Sequence, residues 1–192
     1  MKQLFSSLII LALVGFIAGV AFAFSGMFNV ATSWEDPQLM KWLMVTTREY
    51  SIESRAKSIT APELGSKEQI ENGYRGFRDM CVICHNLPGT DASPVAQGLS
   101  PEPPDLAEEA DHMSAAELFW VTKNGIRMTG MPAWGPTHDD TELWEVIAFI
   151  KAMPELSKAD YRKLEQHATT GNSHDDNHQT NNANDRHPAD HN

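Results

Sequence analysis

The chain has 192 residues and a mass of 21.3 kDa, which leaves room for one domain of ordinary size beside any non-globular termini. Its 26 acidic and 15 basic side chains give a formal net charge of −11, which argues against nucleic acid as a ligand and favours basic protein partners. The two cysteines, Cys81 and Cys84, cannot form a disulfide framework, so something else must stabilise the fold.

The N-terminal segment has the composition of a membrane span. No charged residue lies between Lys2 and Glu35, and Leu8–Val30 is long and apolar enough to cross a hydrocarbon core of about 30 Å as a helix. We therefore expect residues 1–31 to form a transmembrane anchor. Ala21-Phe22-Ala23 resembles a processing site, so a cleaved signal is the alternative. The flanking charges place the amino terminus in the cytoplasm and the remaining chain outside the membrane.

Residues 32–65 are predicted to hold a juxtamembrane helix and a linker. Asp36 supplies an N-cap and Pro37 the first helical position of a helix reaching about residue 59. Larger side chains recur at helical spacing along it: Leu39, Trp42, Leu43, Thr46 and Tyr50. This pattern fits a spacer helix, a helix on the lipid interface, or one that packs on the following domain. Thr60-Ala61-Pro62 ends it, and we place the domain boundary before Ser66.

Residues 66–165 are predicted to be the folded domain, and it shows no strand pattern, so the fold class is all-α. Three helices are expected: 66–80, a second from the capping box at Ser114 to Gly125, and 141–153. The proline-rich segment 87–111 is long, and short helices with long loops imply a large apolar group in the core. Residues 166–192 lack large apolar side chains and are expected to be disordered.

The strongest motif is Cys81-Val82-Ile83-Cys84-His85. Two thiols separated by two residues match the two vinyl groups of a porphyrin, and the adjacent histidine reaches the iron. The motif therefore predicts one covalently bound haem c, with His85 as a metal ligand. A thioredoxin-like redox pair would need a βαβ pattern, and a zinc site would need a fourth ligand. Neither alternative finds that support in the sequence.

Two further segments resemble class I c-type cytochromes. Gly73-x-x-x-Phe77-x-x-x-Cys81 is similar to the family's first helix, and Val146–Lys151 is similar to its final helix, which crosses the first closely. The resemblance implies a few helices wrapped round one covalent haem. An N-terminal transmembrane helix ahead of such a domain implies a single-pass protein of the bacterial inner membrane, with the haem domain in the periplasm.

The resemblance also implies the sixth iron ligand. Gly130-Met131-Pro132 is similar to the family's distal loop, which makes Met131 the metal ligand opposite the histidine. Met128 lies three residues upstream and is an alternative, as is His138 or an open site. Core packing is the ordinary role of methionine.

Around the proximal histidine, Pro104-Asp105-Leu106 is similar to the family's proline-x-leucine segment. The resemblance implies that the Pro104 carbonyl accepts the second ring N–H of the ligating imidazole and that Leu106 contacts the haem. Pro88 is the less favoured acceptor. Trp120 and Trp134 are candidates for covering a haem edge, with core packing as the alternative.

Iron ligated on both sides has no position for a substrate, so the prediction is a one-electron carrier and not an enzyme, although the chain suits the cytochrome subunit of an oxidoreductase complex. It would dock redox proteins with basic patches in a periplasmic respiratory or dehydrogenase-linked chain. A displaceable Met131 would instead indicate a small-ligand sensor or a peroxidase. The tail motifs His174-x-x-x-His178 and His187-x-x-x-His191 raise the further possibility of copper, nickel or zinc binding.

Overall fold

The computed structural model of the chain describes residues 2–175, and every regular element among them is helical. The chain divides into two compact units, Met1–Pro37 and Gln38–Asn192. The predicted all-α class is confirmed.

The first unit consists of helix α1 (Lys2–Phe24) and a following irregular segment. Within α1, Gln3–Phe24 is long and apolar enough to cross a membrane. Its 22 residues correspond to about 33 Å of helix at 1.5 Å per residue. Its large apolar side chains are exposed, so the unit itself offers them no apolar cover.

The helices of the second unit are α2 (Gln38–Ala56), α3 (Lys67–Met80), α4 (Pro94–Gln97), α5 (Leu106–His112), α6 (Ala115–Asn124), α7 (Asp140–Ala152) and α8 (Lys158–Asp175). A 3-10 turn, Met153–Glu155, follows α7. The four helices expected from residue 37 to residue 153 are present as α2, α3, α6 and α7, with ends that differ by no more than three residues from the predicted ones. The short helices α4 and α5 lie inside the segment expected to be loop, and both begin at side-chain N-caps, Ser93 and Asp105.

Capping explains where the longer helices of the cytochrome-like region begin. Capping boxes open α3 with Ser66 and Gln69, α6 with Ser114 and Glu117, and α7 with Asp139 and Glu142. Each box satisfies backbone N–H groups that a helix start would leave unpaired. Gly125 ends α6 at φ 67°, a conformation that L side chains rarely adopt.

The core forms where α3 crosses α7. Phe77 and Phe149 are fully buried, with ring centroids 5.3 Å apart. Gly73 lies directly against the backbone of Glu145, where an added Cβ would be 2.6 Å from the carbonyl carbon. Glycine is therefore required for the two helices to approach this closely.

Helix α2 packs on this domain and is part of the second unit. Ile52 and Ala56 are buried, and the Arg55 guanidinium lies 5.8 Å from the ring centroid of Trp120 on α6. The compact unit therefore begins at Gln38, not at the predicted boundary before Ser66. The C-terminal half of α2 is part of the domain because its apolar side chains are buried where α2 contacts α6.

The tail was predicted to be disordered from residue 166, but helix α8 continues to Asp175. Leu164 and Ala168 are buried in the core, and Tyr74 Oη donates a hydrogen bond of 2.5 Å to Oε2 of Glu165. Of residues 166–169, only the small Ala168 is buried, and one small residue is too weak a signal to distinguish a helix from a polar tail by composition. The remainder of the predicted tail, from residue 176 onward, lies outside the described residues.

Candidate haem-binding site

The two-cysteine motif continues the last turn of α3. The backbone N–H groups of Cys81 and Val82 both donate to the Phe77 carbonyl, at 2.8 and 3.1 Å, and the His85 N–H donates to the Cys81 carbonyl at 2.8 Å. Cys81 and His85 are therefore one helical turn apart. Fully buried Phe77 fixes the start of this turn against the core.

Cys81 and Cys84 are free thiols. Cys81 is buried and Cys84 is half-buried. Burial, together with the neighbouring Cys84, raises the pKa of the Cys81 thiol to about 12. A redox-active C-x-x-C pair requires a thiol of lowered pKa. The Cys81 thiol therefore lacks the lowered pKa of a thioredoxin-like nucleophile.

The His85 ring is held by a backbone carbonyl. Its Nδ1–H donates to the Pro104 oxygen across 3.0 Å. Because a carbonyl only accepts, the proton is on Nδ1 and the lone pair is on Nε2. Burial lowers the pKa of His85, while the bond to Pro104 acts in the opposite direction. A neutral imidazole with an oriented Nε2 lone pair is the form that binds a metal.

The contact predicted between His85 and Pro104 is thus present in the structure. The proline lies immediately before Asp105, whose carboxylate accepts the Ala107 N–H at 2.8 Å as the N-cap of α5. Leu106 begins that helix and packs, partly buried, against the core. The N-terminus of α5 thereby fixes the position of the carbonyl that orients the imidazole.

The loop that carries Met131 closes back on the end of α6. The Met131 N–H donates to Thr129 Oγ1 at 3.1 Å, and the Met131 carbonyl accepts the Ile126 N–H at 3.2 Å. Gly125 approaches so closely that a Cβ there would lie 2.8 Å from the Met131 oxygen. Met131 is half-buried, whereas Met128 is 81% exposed. Met131 is therefore the less exposed of the two methionines of this loop.

The comparison with known families bears on this region. Residues 68–150 match the family model described as cytochrome c oxidase, cbb3-type, subunit III. That family is one of class I c-type cytochromes. The matched range contains the two-cysteine motif, Pro104 and Met131, and it leaves α1, α2 and α8 outside. No curated protein is significantly similar to the chain.

The match indicates haem c and haem-based electron transfer for residues 68–150. The site fits such a group: two reduced thiols, a neutral imidazole with a free lone pair and a thioether are the donor set of a covalently attached haem. Among the described residues, no group of three or more His, Cys, Asp or Glu side chains is placed to hold a metal ion directly. The zinc alternative therefore gains no further ligands there.

Ser93 is a contributor to the cytochrome domain that sequence reasoning missed. Its Oγ donates to the Ile83 carbonyl at 2.5 Å and accepts the Ala96 N–H at 3.0 Å as the N-cap of α4. This side chain ties α4 to the turn between the two cysteines. Serine followed by proline at a helix start was the available signal.

Leu99 joins the distal loop to the same region. A Cβ on Gly130 would lie 2.6 Å from Leu99 Cδ2, so the leucine covers the glycine just before Met131. Residues 93–99, which include α4, thus contact the distal loop through Leu99 and the cysteine turn through Ser93.

The remaining candidates have other contacts. The His138 ring lies 5.4 Å from that of Trp134, edge to face, and its Nδ1 is 2.9 Å from Thr137 Oγ1. His138 is thereby engaged in the turn that precedes α7. Trp120 lies under Arg55 of α2, which gives it a packing role at that helix interface.

Proposed function

We propose that the chain is a one-electron carrier that holds a single haem c, with thioether bonds to Cys81 and Cys84 and axial ligands His85 Nε2 and Met131 Sδ. The bound haem supplies a reversible ferric/ferrous couple. The observation that carries the proposal is the hydrogen bond from His85 Nδ1 to Pro104, which leaves the Nε2 lone pair of a neutral ring, one helical turn after Cys81, to bind a metal.

The protein's own residues would keep reorganisation small during electron transfer. The Pro104 carbonyl fixes the imidazole and raises its basicity, while a thioether ligand favours ferrous iron. Backbone contacts to Ile126 and Thr129 limit the movement of Met131. A methionine whose movement is limited is hard to displace from iron. The loop therefore supports an electron carrier over a small-ligand sensor or a peroxidase.

We propose that α1 anchors the chain in the bacterial inner membrane and that the cytochrome domain lies in the periplasm. The length and apolar composition of α1 support the anchor. The charge of −11 supports docking to redox proteins with basic patches, in a respiratory or dehydrogenase-linked chain. The metal-binding alternative for the tail concerns histidines from residue 178 onward, outside the described residues, and His174 in the last turn of α8.

The test uses the full-length holoprotein produced with cytochrome c maturation. Its alkaline pyridine spectrum is expected to show one haem per chain with both vinyl groups saturated. Met131→Ala is expected to keep the covalent haem, lose the far-red ferric charge-transfer band of thioether ligation and lower the reduction potential. Met128→Ala is the matched control and should keep the band. A band that survives Met131→Ala would overturn the ligand assignment.

A further inference from the structure

The N-terminal half of α2 carries exposed apolar side chains on most of its circumference. Leu39, Trp42, Leu43, Met44 and Val45 are between 39% and 74% exposed. At 100° per residue, these five positions surround the helix instead of forming one stripe. Lys41 is the one charged residue in the sequence between Gln38 and Val45.

The C-terminal half of the same helix is covered. Ile52 and Ala56 are buried against the domain, and Arg55 lies over Trp120 of α6. In the first half, Met40 is half-buried, but the other five apolar side chains are exposed. One helix therefore has an amphipathic half that belongs to the cytochrome domain and an apolar half that projects from it. A helix segment that is apolar on all sides belongs in an apolar environment.

We propose that the N-terminal half of α2, residues 38–45, docks in the headgroup and acyl boundary of the lipid bilayer. The proposal rests on the proposed anchoring by α1. Only 13 residues separate Phe24 from Gln38, which span at most about 45 Å when extended. A span in the bilayer therefore keeps α2 at a high effective concentration near the membrane surface.

The residue types suit a lipid interface better than a protein groove. Trp42 combines an apolar ring with an N–H that hydrogen-bonds at the headgroup level, and Tyr50, 70% exposed one turn beyond this half, does the same with its hydroxyl. Lys41 is compatible with this position, because the long stem of a lysine can lie along apolar surface. The exposed side chains of Leu39 and Leu43 supply the apolar surface that would be buried in the acyl region.

Docking of this half would orient the electron carrier. Because the other half of α2 packs on α6, the cytochrome domain would be held at the membrane surface in one orientation. A domain on a flexible linker would sample many orientations. The fixed arrangement favours electron exchange with partners that are themselves at the membrane.

The experiment separates α2 from the span after the protein has folded. A specific protease site is inserted between Thr32 and Ser33, and the full-length holoprotein is reconstituted in vesicles of phosphatidylcholine and phosphatidylglycerol. After cleavage, vesicle flotation is followed by haem absorbance. The cut fragment is expected to float with the vesicles. In the variant Leu39→Gln/Trp42→Gln/Leu43→Gln, partitioning of the fragment should fall about tenfold or more, because three apolar side chains lose their burial.

The matched control is Val95→Gln, which places the same polar side chain at an exposed apolar position on α4 and should leave flotation unchanged. Release of the wild-type fragment would overturn the proposal. So would flotation that survives the triple substitution, since another surface would then bind the lipid. A lipid-free fragment that is dimeric, and monomeric in the triple variant, would assign the face to a second copy instead. Flotation of the uncut protein tests whether α1 anchors the chain, and the pyridine spectrum tests whether the haem is attached. A failure of the proposed function is thereby distinguished from a failure of lipid docking by α2.

Discussion

At the residue scale, Tyr74 shows how one buried polar group joins two helices. The side chain is 3% exposed, and its hydroxyl donates to Glu165 on α8. Burial and this contact raise the pKa of Tyr74 above its ordinary value, and burial, with Asp105 nearby, raises that of Tyr161 to about 12. Both phenols are therefore held in the neutral form in the folded state.

The free energy of unfolding should consequently fall in alkali. A phenol in the unfolded chain ionises near pH 10, so the contribution of these groups is complete below about pH 10 and is lost as the pH rises toward their folded pKa values. Tyr74→Phe is expected to cost about 1–2 kcal/mol at neutral pH and to make the alkaline decline shallower. Guanidinium unfolding of the holoprotein at pH 8 and pH 11 measures both effects.

The control for this substitution is Tyr50→Phe, because Tyr50 is exposed on α2. It should leave the free energy of unfolding unchanged within about 0.5 kcal/mol. Equal alkaline declines in the wild type and in Tyr74→Phe would contradict the assigned role of this phenol.

At the element scale, the crossing of α3 and α7 depends on two glycines in different surroundings. An added Cβ at Gly73 would meet the backbone of Glu145, whereas one at Gly76 would meet the side chains of Val146 and Met80. Backbone cannot move aside without separating the helices, but side-chain ends can rotate. Substitutions at Gly73 therefore test the close approach of the two backbones, and substitutions at Gly76 test side-chain packing.

Gly73→Ala is expected to destabilise the holoprotein by about 3 kcal/mol or more, because overpacking of the crossing outweighs the gain in helix propensity. Gly76→Ala, the matched control, should change stability by no more than about 1 kcal/mol. Guanidinium unfolding monitored by haem absorbance compares the two variants. A larger loss in Gly76→Ala than in Gly73→Ala would show that the backbone contact is not the limiting feature.

Local signals predicted most of these elements. Capping residues and apolar spacing identified α2, α3, α6 and α7, because a helix and its caps depend on neighbours within a few positions. The five prolines of residues 87–111, which include Pro94 and Pro104, led to the prediction of an uninterrupted loop. In the structure, Pro94 occupies the first turn of α4 and Pro104 precedes the cap of α5, positions at which proline is compatible with a helix.

At the scale of the whole molecule, the charge of −11 determines how encounters with redox partners respond to salt. Attraction between an acidic protein and a basic patch extends about 30 Å at 10 mM salt and about 3 Å at 1 M. The bimolecular rate of electron transfer to a basic redox protein should therefore fall about tenfold or more across that range.

Stopped-flow measurement of haem oxidation in the detergent-solubilised holoprotein checks this expectation. An acidic redox protein of similar size is the control, since like charges repel and its rate should rise with salt. A rate with the basic partner that is independent of salt would show that the net charge does not direct the encounter.

The sequence by itself determined the cysteine pair, the adjacent histidine, the apolar N-terminal helix and the all-α class, because each depends on residues close together along the chain. The tertiary structure decided what remote residues do. It placed α2 on α6, held α8 to α3 through Tyr74, and brought Ser93 to the Ile83 carbonyl. Such contacts join residues between 10 and about 90 positions apart, and folding alone makes them neighbours, so no local pattern records them.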